Sequence, residues 1–205
     1  MSGVFYPPRV KICGLTNAED AIKAVELGAD ALGFICVPSK RTIEPDLARS
    51  IVRQLTPFIA TVGVFMDMQV EEVMRITRYA GFDRVQLHGD ESPEYCQWID
   101  RPVIKRFKID ADETPKSLQK KLDAYDVAGY LLDPGAGDGK TFSWEIAKSL
   151  RQPIILAGGL TPDNVREAVQ TIHPYAVDVS SGVEAELRKK DHLKIERFIK
   201  EAKCL

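Results

Sequence analysis

Short β-prone, apolar runs alternate along this chain with longer segments in which apolar residues recur every three or four positions. The runs predict strands at Arg9–Cys13, Ala31–Ile35, Ala60–Phe65, Arg84–Leu87, Val103–Phe107, Ala128–Leu132, Ile154–Leu156 and Ala176–Val179. A segment with helical spacing follows each. Ala18, Ala21, Ile22 and Val25 fall at i, i+3, i+4 and i+7, as do Val165, Ala168, Val169 and Ile172. Thr16 with Glu19 predicts a capping box. Ser92-Pro93, Thr114-Pro115 and Thr161-Pro162 each place an N-cap residue before a proline. Gly28 and Gly81 stand where helices are expected to stop. The strands are apolar on nearly every residue, as in parallel strands covered on both faces.

Eight strand–helix units of about 25 residues predict an α/β fold, a (β/α)8 TIM barrel forming a single domain over residues 1–205. An open doubly wound sheet is the structural alternative. It usually has fewer units and a GxGxxG turn after its first strand, where this chain has Cys13-Gly14-Leu15-Thr16. No linker or low-complexity tract interrupts the pattern.

Composition narrows the function. The 205 residues carry a formal net charge of −2, so no basic surface argues for nucleic acid or an anionic membrane. No apolar run approaches the roughly 18 residues of a membrane span. The first residues, Met1 to Pro8, lack the charged and apolar regions of a secretory signal, so a cytoplasmic location is expected. The four cysteines form no CxxC pair and only three histidines accompany them, which disfavours zinc and makes free thiols the default.

In a barrel of this kind the C-terminal strand ends converge on one mouth, so what each end offers decides the chemistry. The sixth predicted strand runs through Tyr130, Leu131 and Leu132 into Asp133, then Pro134-Gly135. A carboxylate there is a candidate general acid, provided that its surroundings let it donate a proton near neutral pH. The first strand runs through Val10, Lys11 and Ile12 into Cys13, a candidate general base if the site stabilises its thiolate. The seventh and eighth strands lead into Gly158-Gly159 and into Ser180-Ser181-Gly182. Glycines let backbone approach a ligand, and loops in these two positions are common phosphate sites. Arg41, after the second strand, is a candidate clamp for a substrate carboxylate. Asp178 is a candidate substrate-binding residue that points either at the substrate or into a structural hydrogen-bond network. His88 is read as a satisfied residue of the mouth. The stretch Gly135 to Thr141 is read as a mobile active-site loop.

Taken in order, Lys11-Ile12-Cys13-Gly14-Leu15-Thr16, Pro38-Ser39-Lys40-Arg41, Val62-Gly63-Val64-Phe65, Gln86-Leu87-His88-Gly89-Asp90-Glu91, Leu131-Leu132-Asp133, Leu156-Ala157-Gly158-Gly159-Leu160 and Asp178-Val179-Ser180-Ser181-Gly182-Val183-Glu184 resemble the phosphoribosylanthranilate isomerase family over nearly the whole chain. The resemblance implies an aldose–ketose isomerase of tryptophan biosynthesis. Its reaction is an Amadori rearrangement of N-(5-phosphoribosyl)anthranilate to 1-(2-carboxyphenylamino)-1-deoxyribulose 5-phosphate. It further implies Cys13 as general base, Asp133 as general acid, Arg41 on the anthranilate carboxylate, the two glycine-containing loops on the phosphate, and no metal or organic cofactor. The expected partner is a small-molecule phosphoribosyl substrate, bound by a monomer or a homodimer. The alternatives are another phosphosugar barrel enzyme or a non-catalytic phosphosugar-binding module. Two positions depart from the family pattern. Ser143 precedes Trp144 where aspartate is common, and Leu187-Arg188 replace a Pro-Gly pair after the eighth strand.

Overall fold

The structure is a computed structural model that describes residues 6–110, 112–133 and 144–204. Eight parallel strands close into a barrel in chain order: β1 (Arg9–Ile12), β2 (Ala31–Ile35), β3 (Ala60–Phe65), β4 (Arg84–Leu87), β5 (Val103–Lys108), β6 (Gly129–Asp133), β7 (Ile154–Leu156) and β8 (Ala176–Val179). β1 pairs with β8 over Arg9↔Ala176 to Ile12↔Val179, and this pairing closes the ring. The outer layer comprises α1 (Ala18–Glu26), α2 (Pro45–Val52), α3 (Val70–Ala80), α4 (Pro93–Gln97), α5 (Pro115–Asp123), α6 (Val165–Ile172) and α7 (His192–Lys203). A short hairpin, β9 (Glu184–Glu186) with β10 (Lys189–Lys190), lies between β8 and α7. The strand alternation thus reads through to the barrel, with each boundary within a residue of expectation.

Helix starts differ in three places. At α1 the cap is Asn17, whose side chain accepts from the Asp20 N–H. Thr16 instead donates to the Arg188 carbonyl at 2.9 Å, tying β1's exit to the hairpin. Thr161-Pro162 opens a separate turn, and α6 begins only after Asn164. Among the described residues β6 is followed by a 3₁₀ turn, Trp144–Ala147, rather than an α-helix, with Pro153 and β7 close behind. The remaining signals hold. Ser92 caps α4, Thr114 and Ser117 make a reciprocal box on α5, and Gly28 and Gly81 take φ of 99° and 83°.

Apolar side chains divide into two clusters. The larger packs strand faces against the helices and includes Val10, Ile12, Val85, Leu87, Phe107, Leu132, Val177 and Val179. The smaller contains Val62, Ile104, Leu131, Ile155, Ala157 and Ala176. These alternate along their strands with members of the first cluster, so they fill the barrel's interior. Each fully buried Leu, Ile or Phe contributes about 1.5–3 kcal/mol. The strands are less uniformly apolar than their sequences suggest: Lys11, Gln86, Lys105 and Asp178 are all buried. Lys105 ends in a closed ion pair with Glu91 (3.1 Å) and donates to the Gly89 carbonyl at 2.6 Å, outside the ring. The others point inward and create the site.

Candidate active site

Alternation fixes which side chains enter the mouth. Val10 and Ile12 face the helices, so Lys11 and Cys13 face inward. By the same count Gln86 and His88, Arg106, Asp133, and Asp178 with Ser180 project inward from β4, β5, β6 and β8. All leave from the C-terminal halves of parallel strands, so they converge at one end.

On the β1–β8 side, the Lys11 ammonium lies 2.9 Å from the Asp178 carboxylate, with both side chains at most 8% exposed. A single point above Gly33 is 2.7 Å from Cys13 Sγ and 3.0 Å from Lys11 Nζ, so sulfur and nitrogen are less than about 6 Å apart. Burial pushes the Cys13 thiol up from its ordinary value; the Lys11 and Lys190 ammonium groups pull against that rise, and Asp178 reinforces it. Burial would depress the Lys11 ammonium, but Asp178 and Cys13 outweigh it and the net direction is up. The resting pair is therefore a thiol beside a charged lysine. One Asp178 oxygen accepts from Lys11 in this buried pair.

Opposite, Asp133 faces His88, with Oδ2 and Nε2 3.5 Å apart. Gln86 lies 3.2 Å from the other ring nitrogen. Burial lowers the His88 pKa against the pull of Asp133, and the charge of Arg106 adds to the lowering. His88 thus has partners on both sides, as a satisfied mouth residue should. Pro134 to Ser143, and with them the Gly135–Thr141 loop, lie outside the described residues.

The β7 and β8 loops meet at close range. Gly158 and Gly159 take φ of 81° and 67°, a region that side chains disfavour. Their N–H groups donate to nothing among the described residues. A Cβ on Gly182 would lie 1.9 Å from the Leu160 carbonyl oxygen, so only glycine lets the loops touch. The Ser180 hydroxyl is buried with no partner among the described residues. Ser181 is exposed. Open N–H groups beside an unpaired hydroxyl suit an anion.

Arg41 reaches this edge over Gly14, where a Cβ would lie 2.8 Å from its Cδ. Its Nε and Nη2 both donate to Glu184, at 2.7 and 2.5 Å. Burial would raise the Glu184 carboxyl, yet the hydrogen bond from Arg41 and the charge of Lys190 hold it below its ordinary value. Lys190 is buried, donates to the Ser180 carbonyl at 2.9 Å and lies 3.4 Å from Glu184. Burial leaves its ammonium depressed despite Glu184 and Cys13. Leu187-Arg188 form the hairpin turn, and Arg188 takes φ of 72°.

Sequence reasoning passed over Lys11, Glu184, Lys190 and Arg106. One signal was available for Lys11: a charge between two apolar residues in an otherwise buried strand.

A thiol with a cation beside it, a carboxylate across the same mouth, and an anion-binding loop pair on a closed (β/α)8 barrel define an acid–base enzyme for phosphorylated substrates. Comparison with known proteins makes this specific. A family model described as N-(5'phosphoribosyl)anthranilate (PRA) isomerase matches residues 10–201. The chain belongs to that family, and with it is an isomerase of tryptophan biosynthesis. An N-(5'-phosphoribosyl)anthranilate isomerase of Geotalea daltonii is 51% identical over 96% of this chain and 98% of its own. One from Pelobacter propionicus is 48% identical over 95% of each chain. Among solved structures, the phosphoribosyl anthranilate isomerase of Thermotoga maritima superposes with a TM-score of 0.88 at 43% identity, covering 97% of this chain and 100% of that one. A family structure in complex with reduced 1-(o-carboxyphenylamino)-1-deoxyribulose 5-phosphate matches with a TM-score of 0.85 at 42% identity over 97% and 100%. No described helix is long and apolar enough to cross a membrane.

Proposed function

We propose that this chain carries out its family's rearrangement with Asp133 as general acid and Cys13 as general base. The observation behind the reading is their placement: both project inward at the C-terminal ends of β6 and β1, with His88 beside Asp133 and Lys11 beside Cys13. Asp133 protonates the furanose ring oxygen. The C1–O bond breaks as the anilino nitrogen lone pair forms the C=N bond of an iminium. The iminium withdraws electrons and acidifies the C2 proton, which the Cys13 thiolate removes to give the enolamine. Protonation at C1 and loss of the C2 hydroxyl proton give the ketose. One proton must then pass from Cys13 to Asp133 through solvent before the next turnover. General acid and base groups each contribute typically 10²–10⁴-fold.

Burial opposes ionisation of Cys13, and the Lys11 ammonium compensates where the thiolate forms. A thiolate held in this way stays strongly basic, which suits removal of a proton from carbon. Asp178 holds Lys11 in place. The open N–H groups of Gly158 and Gly159, with Ser180, Ser181 and Gly182, take the substrate phosphate. Glu184 grips one edge of the Arg41 guanidinium and leaves the Nη1 edge for the anthranilate carboxylate. The protein works as a monomer or a homodimer, forms that both appear among solved structures of the family, and acts in the cytoplasm.

The test is loss of phosphoribosylanthranilate fluorescence on adding the purified chain. Turnover by wild type, abolished in Cys13→Ser and Asp133→Asn proteins that still fold, supports the assignment. Full turnover by either variant removes that residue from its role.

A further inference from the structure

Arg106 is the one cation of the inner mouth that has no partner among the described residues. It lies on β5 between Lys105 and Phe107. Lys105 is paired outside the ring and Phe107 packs against the helix layer, so Arg106 projects inward. Its Nε is buried and makes no hydrogen bond, and no described carboxylate pairs with it. Strand register fixes its neighbours. Leu87 pairs with Lys105, which sets His88 beside Arg106 on one flank. Leu131, two residues before Asp133, pairs with Arg106 on the other. Arg106 thus lies one inward position below the candidate acid, level with Leu131 and His88 and between their strands.

A half-buried guanidinium left unpaired is costly unless an anion arrives to complete it. The phosphate is not that anion. Its loops follow β7 and β8, whereas β4 and β5 lie across the closed ring. Held by its phosphate at β7–β8, the pentose carries the anthranilate at its far end, over the mouth between Arg41 and the β5 wall. Arg41 has only its Nη1 edge left for the carboxylate, because Nε and Nη2 are committed to Glu184, so a second cation can complete the site.

We propose that Arg106 is a specificity-determining contact for the anthranilate carboxylate, binding it together with the open edge of Arg41. The inference rests on the family reaction being this chain's activity. It predicts that the enzyme distinguishes carboxylated from uncarboxylated anilino-sugars largely through this side chain.

The test measures dissociation constants of two stable product analogues for wild type, Arg106→Gln and Arg106→Lys. One analogue is reduced 1-(o-carboxyphenylamino)-1-deoxyribulose 5-phosphate. The other lacks only the carboxyl group. Arg106→Gln should weaken the carboxylated analogue at least about tenfold and leave the other within about twofold. Arg106→Lys, which keeps the charge but not the fork, should fall between. Equal weakening of both analogues, or a lowered melting temperature with unchanged affinities, would show a structural role, such as pairing with the unsatisfied Gln86 carbonyl oxygen, and would overturn the proposal. Turnover of phosphoribosylanthranilate by wild type, followed in parallel, separates failure of this contact from failure of the proposed reaction.

Discussion

Replacing Lys11 by methionine removes the cation beside Cys13 while keeping a chain of similar length. Ammonium and sulfur are less than about 6 Å apart, given their distances of 3.0 and 2.7 Å from a common point over Gly33. With an effective dielectric of about 20, unit charges at that separation attract by about 3 kcal/mol. Loss of that attraction cuts the thiolate population near neutrality by on the order of 10²-fold, and kcat/KM falls with it. The single variant also strands Asp178 as a buried carboxylate, which disfavours the thiolate further and costs stability. Lys11→Met with Asp178→Asn removes both charges and isolates the effect on sulfur. Burial already holds the wild-type thiol above its ordinary value. Accordingly kcat/KM of wild type should climb with pH through neutrality as thiolate forms, and in the double variant the climb should begin at higher pH. The assay is kcat/KM against pH, paired with the pH dependence of Cys13 alkylation by iodoacetamide in a background lacking Cys36, Cys96 and Cys204. A double variant within about threefold of wild type at neutral pH, with an unshifted alkylation curve, would refute the role given to Lys11.

Cys13→Ser and Asp133→Asn should each lower kcat by at least about 10²-fold while leaving the melting temperature near wild type, as read by steady-state kinetics and calorimetry. Gly182→Ala drives a methyl group to 1.9 Å from the Leu160 carbonyl oxygen, so the two loops must part. Overpacking of this kind costs about 1–3 kcal/mol, or roughly 2–4 °C in Tm per kcal/mol for a chain of this size; an unchanged Tm would mean that the loops do not touch. Asp20 is held below its ordinary value, since hydrogen bonds from the Lys190 N–H, Asn17 and His192 outweigh its burial. A depressed carboxylate stabilises the fold above its unfolded pKa and loses that contribution as pH falls through its folded one. Thermal stability should therefore drop below about pH 4, and Asp20→Asn should flatten the drop. A variant whose Tm falls as steeply as wild type would place the acid sensitivity elsewhere.

The barrel was legible because each strand is a short apolar run bounded by a turn, and because parallel strands covered on both faces leave little ambiguity of period. The acid and base were legible because strand ends are where packing explains polar residues least. The supporting charges were hidden by distance along the chain. Lys11 meets Asp178 across 167 residues, and Arg41 meets Glu184 across 143. Local patterning carries no sign of either pairing, which appears only once β1 lies against β8. Thr16 illustrates a smaller limit. Its spacing to Glu19 fits a capping box, but Asn17 competes for the same helix terminus and the Arg188 carbonyl offers Thr16 another acceptor. Tertiary contact decided between two locally equivalent caps.

Closure of the ring between its first and last strands also has a consequence in time. Lys11 emerges early in synthesis, yet the carboxylate that neutralises it comes from β8, near the end of the chain. Until that strand docks, a lysine destined for the interior has no counter-charge, and the ammonium that readies the sulfur is not anchored. Nascent or truncated chains should therefore be inert even where both proton-transfer groups are present, and competence should arrive in a single late step with the docking of β8.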